Sequence, residues 1–501
     1  MNLYRDAWIP VRSTDADFQL ISLKRLLCQD EAWQISIPRD DMELACLQLL
    51  ISLVQVAFTP TDEIAWRQKM RSLLDEAAFD ADVAPLRDWF DLDHPVHPFM
   101  QTRGVKSAEA TPIQKLLVGL PEGNNHTFFN MPGEVSHLGA SMAAIALFNQ
   151  ASNTPSFGGG FKGGLRGTPV TTLITGDDLR QIIWRNVLHE EILRRIMPWY
   201  EVTKNQPPSW VERIKSGDKI HANQIGLLRG LFWQPNLVEL IPANTERSCD
   251  VLQGKAQSGY SGFNKEKFIF EVIGLWPHPH SPREFEIKKE GRTERFLGFT
   301  TTAPAWTQCG HFLFDQLGAS QAKEGSNAAA VVTQWRESGA SNLRLIIGGY
   351  RNKQASILQR RHESLSIGEG WQSQNGQQTI EWAIGQALSV KKLLRGKLYS
   401  VVKGNRDKGL KALGADIHEL GETFFYQRTE NLIQTWLKEM TRTERREEKA
   451  LFTADLSQIC RKIFEEVTDP YCQNPALIRT VALAKRSLNF ELNKLKELIA
   501  Q

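Results

Sequence analysis

IEWAIGQALSVKKLLRGKL, residues 380–398, places Ile380, Ile384, Leu388, Leu394 and Leu398 at roughly helical spacing. Polar and basic residues fill the gaps, and an apolar stripe of that period predicts an amphipathic helix. Similar stripes follow it. Ile417, Leu420 and Phe424 lead into Leu432, Trp436 and Met440. Leu456, Ile459, Ile463, Phe464 and Val467 make the next, and Leu477, Val481, Leu488, Leu492 and Leu495 the last. Asn474 before Pro475 is a good helix start, because Asn accepts from free N–H groups and Pro at the first position loses no bond. Of the 22 prolines, 20 precede residue 380, so the stretch beyond is free to be helical. Four amphipathic helices with short connections predict a four-helix bundle over 376–501.

Upstream, residues 1–375 read differently. Short β-rich runs at 171–174, 268–273 and 344–347 alternate with helical stretches and long Gly/Pro loops. The fold class expected is α+β: a large, irregular mixed α/β N-terminal body followed by the helical bundle. A length of 501 residues suits two or three domains. The most apolar stretch, 44–58, is interrupted by Gln48, Ser52 and Gln55 and is too short to span a membrane. It reads as a buried helix starting near Asp40 and Asp41. The sequence MNLYRDAWIPV lacks a secretory pattern. Six cysteines (28, 46, 249, 309, 460, 472) are scattered without a CxxC pair. That argues against a disulfide framework and a Cys-rich zinc module, and fits a reducing cytoplasm.

The net charge is only +3, so any nucleic-acid footprint must be local or shared with partners. Four segments are candidates. The first, SFGGGFKGGLRG (156–167), holds six glycines beside Lys162 and Arg166, and bare backbone N–H groups can approach a phosphate or a groove. Gly158, Gly160 and Gly163 match GxGxxG in letters. A dinucleotide loop, however, should follow a strand and open a helix, and here a helical stretch precedes and a strand follows. The second, GGYRNKQASILQRR (348–361), predicts a hairpin tipped by Asn352, Lys353 and Gln354. Amides at such a tip suit base edges, and Arg351, Arg360 and Arg361 suit phosphates. The third, GFNKEKF (262–268), reads by itself as an exposed turn carrying Lys265 and Lys267. The fourth is a basic run at 391–411: Lys391, Lys392, Arg395, Lys397, Lys403, Arg406, Lys408 and Lys411 against Asp407 alone. It is either a solvated face or a backbone-binding strip. His94/His97 and His278/His280 lie in Pro-rich turns without a completing ligand set. There is no HExxH, no GxSxG and no acidic pair suited to two-metal chemistry.

Together these segments resemble one family, the CasA large subunits of type I-E CRISPR Cascade. The stretches that carry the resemblance are WIPVR (8–12), IPRDDMELACLQLL (37–50), HPFMQTRGVK (97–106), ALFNQASNTPSFGGGFKGGLRGTPVTT (146–172), RGLFWQP (229–235), GLWPHPHSP (274–282) and GGYRNKQASILQRRHE (348–363). The resemblance implies a non-catalytic, cytoplasmic subunit that recognises the protospacer-adjacent motif of duplex DNA from the minor groove. It further implies that the chain helps open the duplex, with guide RNA, the other Cascade subunits and a recruited helicase-nuclease as partners. It assigns a glycine loop to Phe157, Gly158, Gly159 and Gly160, a lysine finger to Lys267, and a wedge to Gln354 with Ala355 beside it. Phe128, Phe129 and Asn130 match a loop docking on the guide-RNA end, and the bundle's basic run would contact the displaced strand. Ser156 stands where relatives can have a further glycine. The positions that carry zinc-binding cysteines in some members, near Gly139 and Met142, are not cysteine, and Cys249 is alone, so no metal or cofactor is expected. The competing readings are a nucleotide-dependent enzyme built on the glycine-rich loop and a purely structural scaffold.

Overall fold

The apolar stretch that begins after Pro38 forms the helix Asp40–Ala57, with buried residues all round it, including Gln48, Ser52 and Gln55. Buried amides need partners. Gln55 exchanges two hydrogen bonds with the Leu188 backbone, at 2.9 and 2.7 Å. The helix packs on Ala140–Ser152, which is similarly apolar. The computed structural model describes residues 1–13, 18–120, 133–252, 254, 256–289, 291–317, 324–439 and 446–500. Two compact units emerge. One comprises Met1–Thr301, His311–Ser338 and Leu345–Ser364; the other comprises Thr302–Gly310, Gly339–Arg344 and Leu365–Gln501.

The first unit is the irregular α/β body. Two of its sheets position the candidate site. In one, Gly259–Glu266 pairs antiparallel with Leu237–Pro242, Thr111–Pro112 and Leu138–Gly139. In the other, Thr171–Ile174 pairs antiparallel with Leu343–Lys353, in a register that puts Leu345 opposite Ile174 and Gly348 opposite Thr171. Leu343–Lys353 then turns back into Ser356–Ile367. The run 262–266 is therefore strand, not the turn its polarity suggested. Alternation is weak there because Gly259, Tyr260, Gly262 and Phe263 are all buried. No helix among the described residues is long and apolar enough to cross a membrane.

The second unit holds four long helices, Gln374–Lys403, Ile417–Lys438, Arg446–Cys472 and Ile478–Ala500. Each packs on the next and the last packs on the first, which closes a bundle. Ile380, Ile384, Leu394 and Leu398 are buried as their spacing predicts. In the second helix the buried stripe is Ile417, Gly421, Phe425, Thr429 and Ile433, while Leu420 is 45% exposed. Two of those core positions are Gly and Thr, which an apolar search passes over. Gly421 is small for a reason: a Cβ there would lie 2.3 Å from Leu398 Cδ1. Leu398 fills the space a side chain would take, so Gly421→Ala would force the two helices apart. The last helix starts at Ile478, three residues past Pro475, after a turn in which Asn474 Oδ1 accepts from the Ala476 N–H at 3.0 Å.

Candidate nucleic-acid interface

The glycine-rich segment leaves the end of Ala140–Ser152 and runs to the strand Thr171–Ile174. Gly158, Gly159 and Gly160 take φ of +82°, +56° and +88°. Three consecutive left-handed residues are accessible to glycine and costly for anything else. Phe157 ties the loop to the neighbouring sheet: its ring lies 5.7 Å from that of buried Phe263 and 5.6 Å from that of Phe161. Lys265 Nζ sits 5.1 Å from the centre of the Phe157 ring, in cation–π range. Downstream, Asn236 clamps the Lys162 backbone, accepting from its N–H at 2.9 Å and donating to its C=O at 2.7 Å.

Lys267 follows the strand Gly259–Glu266 and is exposed. Its ammonium donates to Gly159 O at 3.2 Å. A Cβ on Gly160 would lie 3.5 Å from Lys267 Nζ, and one on Gly158 would lie 3.5 Å from the Ala355 Cβ. The glycine loop, the lysine and the hairpin tip are thus side by side, though separated by about a hundred residues of chain from one to the next. The acid nearest in sequence, Glu266, is occupied by the Lys106 backbone N–H at 2.9 Å.

The hairpin differs from expectation at its tip. The strand continues through Lys353, and the connecting pair is Gln354–Ala355. Two-residue hairpin loops require positive φ in their first position to match strand twist. Gln354 supplies it at +54°; among the described residues only Met100 is the other non-glycine with positive φ. Asn352 turns inward and donates to Gln354 O at 2.6 Å, so Asn352 braces the tip while Gln354 is exposed. Of the arginines expected to flank it, Arg361 is buried, paired with Glu363 and stacked 4.6 Å from the Phe299 ring centre. Arg360 reaches both Asp40 and Asp41 at 3.4 Å. Arg166 is likewise structural. It is buried among Thr171, Ser281, Ser152 and Asn153, and burial lowers its pKa to about 9.

The glycine loop opens no helix, so it lacks the N-terminal dipole that a dinucleotide loop uses. Among the described residues no group of three His, Cys, Asp or Glu could hold a metal ion. Beside Cys249, a Cβ on Gly139 would lie 2.2 Å from Gln257 Nε2. An amide therefore occupies the space a second cysteine would need. Phe128, Phe129 and Asn130 lie outside the described residues.

In the bundle, the basic run is divided: its helical part, up to Lys403, presents two faces, and Arg406, Lys408 and Lys411 lie beyond the helix end. Lys391 and Arg395, four residues apart, both pair with Glu422, at 2.9 and 2.7 Å. Burial pushes the Glu422 carboxyl up, but the hydrogen bonds from Lys391 and Tyr426 and the charges of Lys391 and Arg395 together hold it below its ordinary range. Lys392, Lys397 and Lys408 instead line a groove of about 900 Å³ with Lys494 and Glu491. Leu393, Leu410, Leu483 and Leu495 contribute its apolar lining, and Lys397 donates to Ser487 Oγ at 2.8 Å. Lys403, Arg406 and Lys411 are exposed nearby in the chain. Sequence reasoning missed Lys494, because its only mark was a lysine off the apolar stripe of a helix more than 80 residues downstream.

Residues 2–463 match the family described as CRISPR-associated protein Cse1. The fold is similar to that of Cse1 from Acidimicrobium ferrooxidans (TM-score 0.74, 16% identity, covering 100% of this chain and 99% of that one). It is similar to Thermobifida fusca Cse1 (0.73, 17%, 100% and 99%) and to Thermus thermophilus CasA, also called Cse1 (0.73, 15%, 99% and 99%). A chain of a CRISPR RNA-guided surveillance complex also matches (0.67, 15%, 97% and 99%). With 462 consecutive residues matched and the α/β body and helical bundle in the same order, the chain belongs to the Cse1 (CasA) family of non-catalytic large subunits of CRISPR surveillance complexes.

Proposed function

We propose that this chain reads the protospacer-adjacent motif of a DNA duplex from the minor groove and helps open the duplex for pairing with guide RNA, within a type I-E surveillance complex. One observation carries the reading. Three segments distant in sequence converge, with Gly158–Gly160 backbone against Lys267 on one side and against Ala355, the neighbour of Gln354, on the other. The minor groove is about 6 Å wide, so only slim elements enter. A side-chain-free backbone and one lysine meet that limit, and its acceptor-rich, negative floor suits an ammonium. Readout there separates A·T from G·C better than it separates orientations, so several related tags should be accepted. Gln354, exposed on the two-residue tip, would push between the strands. Unstacking a base step costs a few kcal/mol, offset by guide pairing downstream.

In this reading guide RNA and the other Cascade subunits are partners, and Phe128, Phe129 and Asn130 dock on the guide-RNA end. A recruited helicase-nuclease makes the cuts. The lysine groove of the bundle receives the displaced strand, its phosphates meeting Lys392, Lys397, Lys408 and Lys494 and its bases the leucine lining.

The test uses the reconstituted complex, with and without this chain, on duplexes that match the guide and differ only in the tag. Discrimination should require the chain and be lost with Lys267→Ala plus Gln354→Ala. Discrimination that persists without the chain would overturn the reading and leave the scaffold role.

A further inference from the structure

Beneath the candidate interface runs an unbroken line of buried hydrogen bonds. Arg166 Nη2, at the downstream end of the glycine loop, donates to Asn153 Oδ1 at 2.6 Å. Asn153 Nδ2 donates to Asn149 Oδ1 at 3.1 Å, and Asn149 Nδ2 donates to Tyr350 Oη at 2.7 Å. The Tyr350 hydroxyl donates to Asp41 Oδ2 at 3.0 Å. Asp41 is gripped by Arg39 at 3.0 and 2.8 Å, and Arg39 also donates to Val118 O at 2.9 Å. Arg360, on the returning strand of the hairpin, reaches Asp41 Oδ1 at 3.4 Å. Arg166, Asn153, Asn149, Tyr350 and Asp41 are all buried.

The direction of this line is fixed by its ends. A guanidinium only donates and a carboxylate only accepts, so both amides between them must point the same way. Bonds aligned head to tail polarise one another, and a buried link left unmade is costly. The line therefore behaves as a unit. It also answers a local puzzle: Arg166 is a buried cation whose direct partners are all neutral, and the relay connects it to Asp41.

Two members of the line belong to the two elements whose juxtaposition makes the candidate site, and Asp41 anchors its far end on the helix Asp40–Ala57. Tyr350 lies four residues before Gln354 on the hairpin, and Arg166 closes the glycine loop that holds Gly158. We infer that Tyr350 and Asp41 are positioning residues, which hold the Gln354 tip against the glycine loop and so set how well the wedge enters DNA. This rests on the reading of Gln354 as a wedge. A structural role alone would lower stability without depending on Gln354; a positioning role acts through it.

The experiment is a double-mutant cycle in the reconstituted complex, reading tag-dependent strand opening with Tyr350→Phe, Gln354→Gly and both. Tyr350→Phe should reduce opening on the order of fivefold, the population change one buried hydrogen bond can control. Binding to untagged duplex should be unchanged. In the Gln354→Gly background the fivefold effect should vanish. If Tyr350→Phe has no effect, or the same effect in both backgrounds, the positioning role is overturned. If Gln354→Gly alone leaves opening unchanged, the wedge reading has failed and the cycle says so separately. Should Tyr350→Phe not enter the complex, Arg360→Gln gives the same cycle from a side chain 39% exposed, with an expected loss of about twofold. An additive result there overturns the inference equally.

Discussion

Gln354 can be perturbed in two ways that separate its backbone from its side chain. At φ +54° an L-residue stores roughly 1–2 kcal/mol relative to right-handed backbone. Gln354→Ala keeps that strain and removes the amide. Gln354→Gly removes both, and costs about 0.5–1 kcal/mol through the freer unfolded chain. The glycine variant should therefore have the hairpin more stable than the alanine variant by about 0.5–1 kcal/mol, read as slower hydrogen exchange of the amides flanking the tip. Strand opening should be indifferent to that difference. If the amide sustains one unstacked step, worth about 2 kcal/mol, either variant lowers opening about thirtyfold. Fluorescence of 2-aminopurine placed beside the tag, in duplex presented to the reconstituted complex, measures it. The reasoning is refuted if the glycine variant opens duplex as the parent does. It is refuted equally if the two variants differ in opening as they differ in hairpin stability, because backbone stiffness would then be the wedge.

Gly160→Ala should leave the fold intact, since its Cβ meets only Lys267 at 3.5 Å, but φ +88° strains it; tag discrimination should fall about tenfold. Gly163→Ala, whose nearest new contact is 4.0 Å away, should change discrimination less than twofold in the same binding assay, so equal losses would undo the argument from backbone shape. Neutralising Lys392, Lys397, Lys408 and Lys494 should reduce the salt slope of binding by up to about 3, at roughly 0.7 per single-strand phosphate contact. Neutralising Lys391 and Arg395, both paired with Glu422, should change it by less than about 1. His278 and His280 are buried, which lowers both pKa values, that of His280 to about 3 from an ordinary 6.5. The unfolded chain takes up their protons first, so stability is full above pH 6.5 and falls as pH drops below it, His280 contributing about 1.4 kcal/mol per pH unit down to about pH 3 and His278 acting in the same direction. Thermal melts across that range should show it, and His280→Gln should flatten the slope.

The bundle was legible because helical period and core packing follow the same spacing, as at Ile380, Ile384, Leu394 and Leu398. It blurred where the core is made of absence. Gly421 is buried so that Leu398 can enter, and no count of apolar side chains records a vacancy. The basic run shows a second limit. Seven net charges in 21 residues look like one strip, but a helix turns 100° per residue, so neighbours in sequence need not share a face. Lys391 and Arg395 fall on one face and meet Glu422, whereas Lys392 and Lys397 fall towards the last helix, where Lys494 joins them. Charge density along a chain therefore overstates what a strand could touch, and the net charge of +3 hides what it could.

The segments of the candidate interface were legible one by one, but only whole-family resemblance grouped them. Its glycines, lysine and glutamine have no shared period, and Gly160, Lys267 and Ala355 are brought together by sheet register and by the packing of the loop on those sheets. Register is set by buried residues that carry no functional signature, such as Leu345 opposite Ile174 and Leu240 opposite Phe263. That division follows from what each part must do. Elements that enter a narrow groove must be small, exposed and locally strained, and so hold themselves in place poorly. Their placement has to come from deeper in the body, and there the Asp41–Tyr350 line is both buried and joined to the glycine loop through Arg166 and to the hairpin through Tyr350.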